Sequence, residues 1–172
     1  MKTKIDIFEQ GLEEYPKASI ILSNLTMILW ITLGTIACCF FYPLVAWIYL
    51  AFAIIMVGVV LRKLVCTNCY YYDKWCGTGW GKLAALLFKK GSIEKFDTSI
   101  GIKLAPLTYG LLTLIPLIFI VISIVQGLTA PKVVVLLLLL LVSFYSGFIS
   151  RKKACINCKM KLFCPGCAVK NE

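Results

Sequence analysis

The sequence predicts an all-α integral membrane protein with four transmembrane helices arranged as two tandem, parallel hairpin repeats. Three observations predict it. Hydrophobic residues make up 60% of the 172-residue chain and charged residues only 15%. A soluble fold of this size has too little polar sequence to cover so many apolar side chains. Two long stretches, 18–61 and 104–131, contain no Asp, Glu, Lys or Arg. The two halves also match each other at an offset of 88 to 90 residues.

The first charge-free stretch would be about 66 Å long as one helix, roughly twice the hydrocarbon thickness of a bilayer. It must cross twice. Pro43 marks the break, because proline suits a first helical turn and disfavours an interior. The predicted spans are 19–41 and 44–61. In the second stretch a helix over 107–126 is followed by a turn at 127–132 and a fourth helix over 133–150.

Orientation follows from Lys and Arg. Apart from Lys132, every basic residue falls in the N-terminus, the central segment or the tail. Four crossings put those three regions on one side, which the positive-inside rule makes cytoplasmic. The expectation is a multi-pass cell-membrane protein with both termini inside. The basic excess there favours anionic lipid headgroups. It does not require nucleic acid, since orientation already accounts for juxtamembrane charge. No A-x-A cleavage pattern follows the first apolar run, so no secretory signal peptide is expected.

The repeat runs through the polar segments. Ile5-Asp6, Phe8-Glu9 and Leu12 correspond to Ile93-Glu94, Phe96-Asp97 and Ile100. Pro16 corresponds to Pro106, each expected just before a membrane helix, and Pro43 to Pro131. Arg62 precedes Cys66-Thr67-Asn68-Cys69 as Arg151 precedes Cys155-Ile156-Asn157-Cys158, each expected at the end of a membrane helix. Trp75-Cys76 and Phe163-Cys164 follow. The units are 1–91 and 92–172. Each reads as an interfacial lead-in helix, a helical hairpin and a cysteine cluster, related by a pseudo-twofold axis along the membrane normal. Only the first unit adds an amphipathic helix, Trp80 to Lys90, ending at Gly91.

Cytosolic thiols stay reduced, so structural disulfides are not expected among the cytoplasmic cysteines. C-x-x-C spacing instead lets two thiolates reach one ion. The candidate ligands are Cys66, Cys69 and Cys76 with Cys155, Cys158, Cys164 and Cys167. Gly79 stands where a match to Cys167 would fall. Two sites, one shared site, or one four-Cys site plus spare thiols all fit this count. All-thiolate ligation selects zinc, an iron–sulfur cluster or Cu(I). The ferredoxin spacing is absent, and spacing alone leaves iron–sulfur and zinc undecided. Tyr70, Tyr71, Tyr72, Trp75, Trp80 and Phe163 would shield such a site or form an interfacial aromatic belt. Cys164-Pro-Gly-Cys167 resembles one knuckle of rubredoxins and zinc ribbons over those four residues.

The chain has no His, which removes His-ligated haem, His general-base catalysis and mixed Cys/His zinc sites. Cys38 and Cys39 fall near the outer end of the first helix and read as small buried hydrophobes. Gly79, Gly81 and Lys82, opening a helix, form a weak candidate for an anion or lipid headgroup. Asn24 and Gln126 read as packing or interfacial amides, and Ser143 with Gly147 as a helix-packing pair.

The function these features predict is a membrane-anchored, cysteine-ligated metal protein with a redox role at the cytoplasmic face, exchanging electrons with a cytoplasmic partner or a membrane quinone. The alternatives are a scaffold with structural zinc and a membrane thiol oxidoreductase.

Overall fold

In the computed structural model, residues 7–169 are described. Ile5 and Asp6 of the first lead-in lie outside them. The described residues are helical and contain no strand. Four helices are long and apolar enough to cross a membrane. They are α1 (Lys17–Cys39), α2 (Pro43–Asn68), α4 (Ile100–Gln126) and α5 (Ala130–Ile156). A short amphipathic helix, α3 (Trp80–Leu87), lies between α2 and α4.

Helix α1 is the centre of the bundle and packs against α2, α4 and α5. Its inward face carries Trp30, Leu33, Gly34, Ala37 and Cys38. Helix α2 answers with Ala46, Tyr49, Ala53, Val57 and Leu61, at helical spacing. Helix α4 contributes Leu112, Pro116, Ile120 and Ser123. Over its apolar length α5 buries Leu139 alone. Large apolar residues such as Ile21, Leu25, Trp47 and Leu141 are exposed all round the bundle. That is expected of helices whose solvent is lipid.

Polar contacts fix the helix pairing. Trp30 Nε1 donates to Ser143 Oγ at 3.0 Å, and Ser123 Oγ to the Phe40 carbonyl at 2.8 Å. Tyr49 Oη donates to the Leu112 carbonyl at 2.9 Å. Pro116 explains the last of these: it has no N–H for the carbonyl four residues earlier, and a phenol from the neighbouring helix takes that place. Gly34 makes room for the phenol, since a Cβ there would fall 2.4 Å from Tyr49 Oη.

Several expectations change. Pro43 and Pro131 do open helices. Pro106, however, lies inside α4, because Ser99 caps the helix earlier by accepting from the Gly101 amide at 3.1 Å. Helices α2 and α5 run on past Arg62 and Arg151, which therefore do not end them. Each contains a π-helical stretch, Met56–Val60 and Tyr145–Ser150, and the openings of the two stretches stand at the repeat offset. Of the Ser143–Gly147 pair, Ser143 meets α1 through Trp30, whereas nothing lies within 4 Å of a Cβ at Gly147.

No interfacial helix forms in the described part of the first lead-in; residues 7–16 make turns. Their backbone pairs elsewhere: the Phe8 amide donates to the Lys159 carbonyl and the Leu12 amide to that of Asn157. The second lead-in forms only the 3-10 turn Ile93–Lys95.

Candidate functional site

The cysteine segments sit at one end of the bundle, where α1 and α4 begin and α2 and α5 end. The last carbonyls of α2 need partners outside the helix. Thr67 Oγ1 donates to the Lys63 carbonyl at 2.6 Å, and Ser99 Oγ to that of Leu64 at 3.0 Å. The Gly91 amide donates to the Thr67 carbonyl at 2.9 Å. Thus fixed, the chain turns through Cys66 to Cys69, whose amide donates to the Cys66 carbonyl at 3.4 Å. In the tail the Cys158 amide donates to the Cys155 carbonyl, and the Cys167 amide to that of Cys164, both at 3.2 Å. Arg151 Nη2 holds the Cys-Pro-Gly-Cys turn by donating to the Gly166 carbonyl at 2.5 Å.

Sulfur environments correspond between the halves. The Tyr71 amide donates to the Cys69 sulfur, and the Met160 amide to the Cys158 sulfur. In both cases the donor lies two residues beyond the second cysteine of a Cys-x-Asn-Cys pair. The Ala168 amide also approaches Cys155 Sγ at 3.5 Å. Burial pushes the Cys158 thiol up to about 11, and the thiolate-favouring Met160 amide only partly offsets it. Burial raises the Cys69 thiol further still, again against its amide bond.

The two clusters meet across Tyr15 and Tyr71, whose rings are 5.7 Å apart. Cys69, Cys76 and Cys158 pack around this pair. Tyr15 Oη donates to the Ala154 carbonyl and Tyr71 Oη to that of Leu12, both at 2.7 Å. The Lys159 amide in turn donates to Tyr71 Oη at 3.1 Å. Glu13 pairs with Lys159 and, at 3.2 Å, with Lys74. These bonds tie the first lead-in to the tail. Tyr15 and Glu13 carry no motif in the sequence, and only the folded chain brings them to the cysteines.

The nine cysteines are all free thiols. Among the described residues no three Cys, Asp or Glu side chains converge as a group that could hold a metal ion. The cysteines are therefore gathered into two neighbouring clusters without a preformed tetrahedral cage. Cys38 is buried in the core and Cys39 exposed, both at the far end of α1.

Packing and pairing account for Gly79, Gly81 and Lys82. Gly79 has φ +72, and a Cβ there would meet Ile20 Cγ2 at 2.8 Å. A Cβ at Gly81 would fall 1.9 Å from the Tyr71 carbonyl oxygen. Lys82 pairs with Asp73 at 3.2 Å. Of the aromatic residues expected around the clusters, Tyr71 lies between them. Trp80 instead packs under Arg62, with Nε1 donating to Asn24 Oδ1 at 3.2 Å. Asn24 is thus no idle interfacial amide: its Nδ2 also donates to the Thr78 carbonyl at 2.9 Å, anchoring the Cys76 loop to α1.

Comparison with protein-family models, with curated proteins and with solved structures finds no match for this chain.

Proposed function

We propose that this chain is a membrane-anchored metal-thiolate protein, with its cysteine clusters at the cytoplasmic face, binding an iron–sulfur cluster or zinc. The observation that carries the reading is the packing of Cys69, Cys76 and Cys158 against the Tyr15–Tyr71 pair, which brings cysteines of the central segment and the tail together; backbone amides beside Cys69 and Cys158 add to it. Backbone N–H donors aimed at sulfur favour thiolate, the form that ligates metal. The backbone turn at each Cys-x-x-Cys keeps the paired cysteines close along the chain, and metal binding would draw their sulfurs together.

The internal repeat belongs to the same proposal. Its support is the shared offset of the cysteine pairs, the arginines and the openings of the two π-helical stretches. Cytoplasmic placement rests on the Lys and Arg distribution. An iron–sulfur centre here would exchange electrons with a cytoplasmic partner or a membrane quinone. A second reading, structural zinc clamping the halves, is favoured by the bonds from Tyr15 to Ala154 and from Lys159 to Tyr71, which join first half and tail.

Anaerobic purification with metal analysis tests both. Brown protein that bleaches on reduction supports the redox reading, and colourless zinc protein the clamp. Changing Cys155 and Cys158 together to Ser should remove the metal and lower stability. Metal-free protein with all seven clustered thiols freely alkylated defeats both readings and leaves thiol oxidoreduction in first place.

A further inference from the structure

At the end of α2 the chain encloses a cavity of about 390 Å³. Its wall is made by the turn through Cys69, by Tyr70, Tyr72 and Lys74, and by Lys90 and Gly91 where the chain returns after α3. Two bonds hold that returning segment in place. Tyr72 Oη donates to the Phe88 carbonyl at 2.8 Å, and the Gly91 amide to the Thr67 carbonyl at 2.9 Å. Glycine is required at the second bond, because a Cβ there would clash with Asn68 Oδ1. Lys90 stands between these two anchors, so the backbone fixes its place in the cavity wall.

The cavity is basic and aromatic. Lys74 Nζ bonds Glu13 Oε2 and Tyr70 Oη, each at 3.2 Å, and lies 4.4 Å from the centre of the Tyr70 ring. An ammonium has three N–H donors, so one is left for a ligand. Lys90 is exposed and takes part in none of the described ion pairs. Glu13 already serves both Lys74 and Lys159, and no Asp or Glu is among the described residues that line the cavity. The wall therefore carries a positive surplus. Tyr70 and Tyr72 supply ring surface beside it. The volume is that of a small-molecule site, larger than a bare inorganic ion fills.

We propose that this cavity binds a phosphate monoester carried on a ring, with Lys74 and Lys90 holding the phosphate and Tyr70 and Tyr72 flanking the ring. Such a phosphate carries nearly two negative charges at neutral pH, which two ammoniums match. Lysine binds phosphate as a point charge and needs no paired geometry. The ligand reaches the end of α2 from either of two sources: free in solution, as a nucleoside monophosphate, or on a lipid headgroup, as a phosphorylated inositol. The inference stands independently of metal binding. Cys69 also lines the cavity, so the competing explanation is phosphate held by a metal on the cysteines.

The test is calorimetric titration of the full chain in neutral detergent. One arm compares adenosine monophosphate with adenosine and with inorganic phosphate. The other compares short-chain phosphatidylinositol phosphate with phosphatidylinositol. Metal content is measured on the same samples. In at least one arm the phosphorylated ligand should bind about tenfold more tightly than its unphosphorylated counterpart and than inorganic phosphate, and that arm names the source. K90Q and K74Q should each weaken it by about tenfold. K90Q alters an exposed side chain outside the described ion pairs, so it keeps the test decisive if K74Q releases the first lead-in. K89Q, at an exposed lysine that does not line the cavity, should keep wild-type affinity. No preference for phosphate in either arm overturns the inference, as does equal affinity for inorganic phosphate. Wild-type affinity in K90Q, or equal losses in K89Q and K90Q, overturns it too. Affinity that follows metal content and ignores Lys90 would assign the phosphate to the metal instead.

Discussion

Changing Tyr49 to Phe removes one oxygen, and the structure says which group suffers. The Leu112 carbonyl cannot bond within α4, because residue 116 is proline, and it accepts instead from Tyr49 Oη at 2.9 Å. Tyr49 is only 3% exposed, so water does not readily replace the phenol. A buried acceptor left without its partner costs about 1–3 kcal/mol. Interhelical hydrogen bonds within membranes average about 0.6 and reach about 1.7 kcal/mol, because the unfolded state also finds partners. With no alternative donor evident, Y49F should cost about 1–2 kcal/mol.

The discriminating measurement is a double-mutant cycle read by reversible unfolding in mixed detergent micelles. P116A restores an N–H four residues beyond Leu112, so the carbonyl can bond within its own helix. Y49F should then cost little, giving a coupling of about 1 kcal/mol. Equal costs for Y49F in both backgrounds would refute the reasoning. G34A should destabilise through its clash with the phenol. Y49F should relieve that only in part, since Tyr49 Cζ would still lie 2.8 Å from the new Cβ.

A reporter fused after Glu172 should be cytoplasmic and a tag at Thr129 external; a C-terminal reporter found outside would sink the topology. Changing Cys38 and Cys39 together to Ala should leave bound metal unchanged in elemental analysis, because they stand at the far end of α1 from the clusters. Lys132 Nζ donates to the Ser123 and Gly127 carbonyls, both at 2.8 Å, so K132A should lower thermal stability by about 1 kcal/mol. Hydrogen bonds from Lys159, Tyr70 and Lys74 hold the Glu13 carboxyl at about 2, below its ordinary 4.5. The docking it contributes is therefore complete above pH 4.5 and is lost as pH falls towards 2. Hydrogen exchange in residues 7–15 should rise over that window, and E13Q should flatten the rise.

The membrane helices were legible because charge-free length is a strong signal that packing cannot override. Their ends were less so. Expecting α2 to stop before Arg62 treats charge as a boundary, yet a guanidinium stacked on Trp80 is compatible with an unbroken helix. Pro106 misled in the same way: Ser99 supplied a cap one turn and a half earlier than a proline-first helix would use. The lead-in pattern at Ile5, Phe8 and Leu12 reads as one helical face, but the described backbone there is bonded to the tail. A bond between residues so distant in sequence leaves no local trace. The cysteine pairs were legible as spacing. Their meeting across Tyr15 and Tyr71 was not, because Tyr15 carries no pattern of its own and Tyr71 read only as one of several aromatics beside the cysteines.

The proposed repeat breaks among its cysteines at Gly79, and the break has structural causes. Where the tail has Cys167, the first half has Gly79 in a left-handed conformation that disfavours any side chain, with Ile20 filling the space a Cβ would take. A fourth thiol there would strain the backbone and displace the Ile20 side chain. On the metal-thiolate reading, the tail therefore has four cysteines of its own, whereas Cys66, Cys69 and Cys76 need a ligand from elsewhere. Cys158 is the protein candidate, because it shares the Tyr15–Tyr71 packing with Cys69 and Cys76. But Cys158 serves one cluster at the expense of the other. The two halves are thus coupled through that sulfur, and the bonds from Lys159 and Asn157 to the first lead-in set how closely it can approach.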